Sequence, residues 1–259
     1  MADGFRLAVA QAPAELATAA DRLDWLAQHL PDVSADLVLL PELFACGYNI
    51  ADQVHRRAEP SDGPTTHAMA KLARAHGIAL LYGYAERSDD LVFNSAMCLG
   101  PDGAQIGHHR KLAIPPGFER DHFSAGQGCT VFSYRGLRIG ILICYDVEFP
   151  ETVRHLATKG AQLVLVPTAL GADWHWVAHS MIPTRAYENG VYLAYANSAG
   201  TENGMTYLGH SVIAAPNGVE AARAGADSEI LLAHIDPDRV TAAQSRLPYL
   251  LDRRGLKLA

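Results

Sequence analysis

Short unbroken apolar runs, each cut off by turn residues or by charge, recur along this chain and restrict what it can fold into. The most telling is "RIGILICYDVEFPE", residues 138–151, which ends at Cys144 and continues into Asp146, Glu148 and Glu151. Runs of this kind fit strands buried on both faces. "FRLAVAQA" (5–12), "DLVLLPE" (36–42), "IALLYGYAE" (78–86), "LVFNSAMCLG" (91–100) and "QLVLVPTA" (162–169) read the same way, as do "VYLAYANS", "GHSVIAAP" and "EILLAHID". Helical periodicity lies between them, over 14–29, over 64–76 with Gly77 as a stop, over 148–159, and over 173–189 with a kink at Pro183. The "PDG" turn at 101–103 folds "AQIGHHRK" back as a hairpin partner, and Arg135 and Gly136 join "CTVFSYRG" to "LRIGILIC".

Strands and helices interleave, as in an α/β protein, but the hairpins break a purely parallel order. Two mixed sheets packed face to face and covered by helices fit best. Of the 259 residues, 49% are hydrophobic and 19% charged, which suits one large domain over 1–259. A C-terminal extension from about residue 245, "SRLPYLLDRRGLKLA", has no core pattern of its own. Formal net charge is −7 and the only basic clusters are "HHRK" and "DRRGLK", which argues against nucleic acid as a partner. The N-terminus lacks a basic region and Gln11 and Glu15 interrupt its apolar stretch, so neither a signal peptide nor a membrane span is expected. Cys46, Cys98, Cys129 and Cys144 form no CxxC pair, and a reduced, cytoplasmic protein is the simplest reading.

Three strand ends deliver reactive side chains: Glu42 from "LVLLPELF", Lys111 from "GHHRKLAI" and Cys144 from "ILICYD". Function in α/β proteins collects where strands give way to loops. A nearby ammonium lowers a thiol pKa, so Lys111 is expected to favour the Cys144 thiolate, with Glu42 as general base. Lys111 and the backbone N–H of Tyr145 would face an oxyanion, at about 3 to 4 kcal/mol per donor. Asp146, Glu148 and Glu151 are then expected to turn away and charge the first turn of the next helix.

"PELFACGYN", "HRK" and "ICYDVEFPE", in that order, resemble the glutamate, lysine and cysteine motifs of the nitrilase superfamily of carbon–nitrogen hydrolases, and "RAYENGVYLAYAN" (185–197) resembles a later signature. The resemblance covers roughly residues 5 to 245. It implies a four-layer αββα sandwich that dimerises through the face carrying the cysteine helix, and no cofactor. It also implies a second glutamate after the lysine, a role that falls to Glu119 in "GFERDHFSAG", positioning substrate or water and hydrogen-bonding Lys111. Relatives often have a histidine two residues after the lysine, where this chain has Ala113. "GYNI", "ICYDVEFPE" and "PYLLDRR" are most similar to the 5-aminopentanamidase and stereoselective amidase branch. The implied reaction is hydrolysis of a small primary amide to acid and ammonia through a thioester on Cys144. N-carbamoyl amino acid hydrolysis, nitrile hydrolysis and a non-enzymatic binding scaffold are the alternatives. A papain-like Cys–His hydrolase would need a histidine that the sequence does not nominate.

Other features take plainer readings. Cys46, Cys98 and Cys129 are structural. His175 and His179 in "HWVAH" share a helix face, but no glutamate sits between them and no third ligand is evident. They are expected to line a pocket or an interface and not to hold a metal. Trp174 and Trp176 are expected in the pocket wall or the core. The stretch around Asn94 and "NSAGTENG" (197–204) read as polar loops.

Overall fold

The computed structural model describes residues 4–257. The first half of the chain forms β1 (Phe5–Gln11), α1 (Ala19–His29), β2 (Leu37–Leu39), α2 (Gln53–Arg57), α3 (Pro64–His76), β3 (Ala79–Ser88), β4 (Leu91–Leu99), β5 (Gln105–Arg110) and α4 (Phe118–His122). The second half forms β6 (Thr130–Tyr134), β7 (Leu137–Ile141), α5 (Pro150–Thr158), β8 (Leu163–Pro167), α6 (Ile182–Asn189) and β9 (Tyr192–Ala196). A small hairpin of β10 (Thr201–Glu202) and β11 (Met205–Thr206) follows, then β12 (Val212–Ala214), β13 (Glu220–Arg223), β14 (Glu229–Ile235), α7 (Pro237–Arg246) and α8 (Tyr249–Asp252).

Two six-stranded sheets result, in the orders β14-β1-β2-β3-β4-β5 and β13-β12-β9-β8-β7-β6. Each has a parallel centre (β1, β2, β3 and β7, β8, β9) and antiparallel margins. The alternation of side chains along a strand divides the apolar residues among layers. Leu7, Val9, Leu39 and Leu81 of the first sheet meet Ile139, Ile141, Leu165 and Ile213 of the second in one central cluster. The outer face of the first sheet packs on Leu26 of α1 and Met69, Ala70 and Ala73 of α3. The outer face of the second packs on Val153 and Leu156 of α5 and Ile182 and Ala186 of α6. The layers are therefore α, β, β, α. The margins of the two sheets also adjoin, β5 beside β6 and β13 beside β14, and Thr130 Oγ1 donates to His108 O at 2.6 Å across the first seam.

Local chemistry accounts for the punctuation. Thr18 and Asp21 form a reciprocal capping box at the start of α1, and Arg135 and Gly136, both at positive φ, make the two-residue turn between β6 and β7. The helix read over 148–159 is α5, entered through a 3₁₀ turn at Cys144–Glu148; Pro150 suits its first helical position. Two expectations need correction. The helix expected over 173–189 runs unbroken over 175–189 but contains a π turn at Val177–Met181 before α6, and a separate 3₁₀ turn at Ala172–Trp174 precedes it. "NSAGTENG" carries β10 and the turn that leads to β11, and is not a loop throughout. Beyond residue 245, Leu250 packs against the outer cluster of the second sheet.

One glycine governs how the sheets deliver their functional ends. A Cβ on Gly83, in the middle of β3, would lie 2.3 Å from Leu43 N and 2.8 Å from Glu42 Cα. The chain leaving β2 crosses directly over this point, held by Gly83 N–H to Pro41 O (3.2 Å) and Ala45 N–H to Gly83 O (3.0 Å). A Gly83→Ala variant is expected to lose about 1–3 kcal/mol through overpacking, roughly 2–4 °C in Tm for each kcal/mol. Thermal unfolding followed by circular dichroism measures this, and an unchanged Tm would refute the tight crossing.

Candidate active site

Glu42, Lys111, Glu119 and Asn94 form one buried polar cluster. Glu42 sits just beyond β2, where its N–H donates to Thr168 O, beyond β8 of the other sheet, at 3.3 Å. Lys111 follows β5. Glu119 lies in α4, which begins after Gly117 at φ 92°, a conformation that favours glycine after the two prolines that precede it. Lys111 Nζ donates to Glu42 Oε1 at 2.6 Å and to both Glu119 oxygens at 2.6 and 2.7 Å. Asn94 Nδ2 bridges the same carboxylates, at 2.7 Å to Glu42 Oε1 and 3.0 Å to Glu119 Oε2. Tyr48 Oη donates to Glu119 Oε1 at 2.8 Å. Every oxygen of the pair is thus engaged except Glu42 Oε2, which is buried with no partner. An unpartnered buried carboxylate oxygen is costly unless a proton or ligand meets it.

Cys144 opens the 3₁₀ turn after β7, and its φ of 43° is unusual for a residue with a side chain. Such strain is tolerated where the surroundings fix it, and it concentrates at functional sites. Glu42, Lys111 and Glu119 are the charges that act on its thiol. Tyr145 is the second residue of the turn and half-buried, its ring edge-on to Phe149 at 5.1 Å.

The electrostatics revise the expected thiolate. Burial first, and then the carboxylates of Glu42 and Glu119, push the Cys144 thiol well up; Lys111 and Thr168 pull the other way and lose. The reason is the charge balance: one ammonium already serves two carboxylates, and a thiolate would add a further negative charge out of reach of water. This balance favours a protonated sulfur at rest. Burial lifts Glu42 to about 7, with Lys111 lowering it and Glu119 raising it. Burial pulls the Lys111 ammonium down, but Glu42 and Glu119 more than offset this and hold it protonated. All its protons face carboxylate oxygens, so meeting an oxyanion requires one of those bonds to loosen.

The three acids behind Cys144 part company, against expectation. Glu151 alone is an exposed residue in the first turn of α5. Asp146 is fully buried and accepts from the backbone N–H groups of Leu112 (3.0 Å), Ala113 (2.8 Å) and Ile143 (3.0 Å), with His109 Nε2 at 3.2 Å. Ala113 thus contributes its backbone. Glu148 is half-buried, burial raising its pKa while Lys111 and Arg185 lower it. Arg185 holds the backbone there, with Nη2 to Glu148 O at 2.7 Å and Nε to Val147 O at 3.1 Å.

Other expectations fare differently. Asn94 belongs to β4 and to the cluster itself. Its signal was present: an Asn-Ser pair inside an apolar run must be satisfied when buried, and here Asn94 faces the cluster while Ser95 donates to Glu86 at 2.6 Å. Glu202, in the hairpin, accepts from the backbone of Tyr48 (2.9 Å) and Asn49 (2.7 Å), from Arg22 (3.1 Å) and from Tyr207 (2.8 Å), and so fixes the loop that carries Tyr48. His175 and His179 lie on one helical run, His179 within its π turn; both are exposed, and the ring of His179 lies 5.0 Å from that of His210. Trp174 and Trp176 are 64% and 67% exposed, so neither is core. All four cysteines are free, and burial pushes Cys46 up to about 11, which leaves it a neutral thiol.

A model of the carbon–nitrogen hydrolase family matches residues 6–245. A Pseudomonas protegens protein described as a hydrolase in the pqqF 5′ region is 40% identical over 245 residues, 93% of this chain and 85% of that one. An (R)-stereoselective amidase from Pseudomonas sp. is 34% identical over 220 residues, 85% of this chain and 80% of its own. The crystal structure of an amidase from Nesterenkonia sp. superposes with a TM-score of 0.85 at 32% identity, covering 99% of this chain and 98% of the other. Variants of the Nesterenkonia sp. AN1 amidase are known in complex with butyramide and with the acetamide moiety of fluoroacetamide added covalently at the active-site cysteine. The sandwich is shared with that enzyme along nearly its whole length, and the chain belongs to the carbon–nitrogen hydrolase family of the nitrilase superfamily.

Proposed function

We propose that this protein hydrolyses a small primary amide to a carboxylic acid and ammonia, with Cys144 as nucleophile, Glu42 as general acid–base, Lys111 and the Tyr145 N–H as oxyanion donors, and Glu119 as the anchor of Lys111. The observation that carries the reading is the buried, unpartnered oxygen of Glu42, on a carboxyl poised at about 7 whose charge acts on the Cys144 thiol. A base poised there suits proton transfer near neutral pH. The Cys144 proton passes to Glu42 as sulfur bonds to the amide carbon, so no free thiolate forms in the buried site. Protonated Glu42 no longer holds Lys111 as an anion does, which releases an ammonium N–H toward the new oxyanion. Glu42 gives its proton to the departing nitrogen, the C–N bond breaks, and ammonia and a thioester result. Water then loses a proton to Glu42 and adds to the thioester. Collapse breaks the C–S bond, the proton returns to sulfur, and the acid leaves.

The half-buried Glu148, four residues after the nucleophile and with no hydrogen-bond or ion-pair partner for its side chain among the described residues, favours substrates that carry a cationic amine. The whole of 1–259 acts as one unit in this reading, without a cofactor. Exposed Phe149, Tyr187, Tyr249 and Leu251 on the α5, α6 and α8 side favour a homodimer through that face, and four free cysteines suit a reducing cytoplasm.

Cys144→Ala is expected to abolish ammonia release while the circular dichroism spectrum is kept; unchanged turnover defeats the mechanism. In a panel assayed for ammonia, primary amides should lead, amino-amides first among them, with N-carbamoyl amino acids and nitriles negligible. Strong nitrile turnover would favour a nitrilase instead.

The pH profile tests the base separately. Glu42 is protonated, and unable to accept the thiol proton, below its raised pKa, so kcat/KM should climb with pH through an apparent pKa of about 7. Glu42→Gln should remove that limb and cost roughly 10²–10⁴-fold in rate. A wild-type profile flat across neutrality would sink the assignment.

A further inference from the structure

We propose that Asp146 is a positioning residue that sets the spacing between Lys111 and Cys144 by tying their backbones to one carboxylate. The proposal rests on the amide-hydrolase reading for its kinetic consequence. Lys111 leaves β5 at the margin of the first sheet, and Cys144 leaves β7 in the second. No ladder joins these strands, and the apolar core between the sheets attracts without direction. Directional bonds have to supply the register. Asp146 Oδ1 takes the N–H groups of Leu112 and Ala113, the two residues immediately after Lys111. Its Oδ2 takes the N–H of Ile143, the residue immediately before Cys144, and lies 3.2 Å from Nε2 of His109, two residues before Lys111 on the same strand. His109 Nδ1 has no partner, so the Nε2–H tautomer that donates to Asp146 leaves the cost on the other nitrogen. Both side chains of this pair are fully buried. One carboxylate thereby spans the seam and grips the chain on either side of it.

A helix-start acid would satisfy Ile143 N–H alone. Three of the four contacts here come from the other sheet, or, for His109, from the strand that delivers Lys111. Asp146 itself donates nothing to the reacting atoms.

Asp146→Asn tests the tie. Its Oδ1 can still accept from Leu112 and Ala113, but its amide N–H₂ faces the Ile143 N–H, so the nucleophile's side is released. In folded variant, judged by unchanged circular dichroism and a Tm above the assay temperature, kcat on the best wild-type amide should fall roughly 10²-fold. KM should stay within about 3-fold, because the loss is of alignment and not of ground-state binding. Alkylation of Cys144 by iodoacetamide gives a readout free of the substrate assignment. Displacing Glu42 and Lys111 from the sulfur should slow it, whereas simple removal of a negative charge would speed it. A folded variant with near-wild-type kcat, or with faster alkylation, overturns the proposal. Asp146→Glu keeps the charge and shifts the carboxylate by one methylene; where the asparagine variant fails to fold, it decides by the same two readouts. If the wild type turns over no amide, the functional reading fails and the alkylation rates alone judge the tie.

Discussion

A lysine ammonium with no access to water, clasped by two carboxylates, is the interaction on which the rest of this structure depends. Burying charges is expensive, and their attraction repays it only when the remaining hydrogen-bonding capacity is met. Here Asn94 and Tyr48 supply the missing donors, Glu202 fixes the loop that carries Tyr48, and Gly83 lets the Glu42 segment come close enough to take part. Removing one partner would strand charge in a dry interior. The cluster therefore constrains sequence well beyond its own members.

The same cluster decides the chemistry of sulfur. A lone lysine beside a cysteine makes a thiolate; a lysine already shared between two glutamates does not. The site is instead arranged so that negative charge moves without accumulating. In the proposed mechanism each proton taken by Glu42 cancels one charge as the sulfur or the oxyanion acquires another, so the net charge of the cavity would hardly change along the path. In a medium of low polarizability that constancy is worth more than a pre-formed nucleophile.

Much of this was legible in the sequence. Unbroken apolar runs located the strands, and β3, β4, β7 and β9 fall where they were read, because a strand buried on both faces has little freedom in composition. Glu42, Lys111 and Cys144 stood out because each interrupts such a run at its end. What escaped has physical causes. The fate of the acids after Cys144 depends on which side of a 3₁₀ turn each one faces, and a helix period gives the wrong answer there. The thiol's protonation depends on how many carboxylates share one lysine, a count that no local pattern carries. The helix over 175–189 carries a π turn at Val177–Met181, a local widening that a uniform helical period does not reveal. Asn94 and Glu202 act across long stretches of chain, so their partners are visible only in three dimensions.

The adjoining margins of the two sheets have one more consequence. β5 lies beside β6 and β13 beside β14, so the outermost strands of one sheet shield those of the other. Unpaired strand edges are where chains stick to one another by extending a ladder. With its seams turned inward, this sandwich leaves little strand backbone to be continued by a stranger.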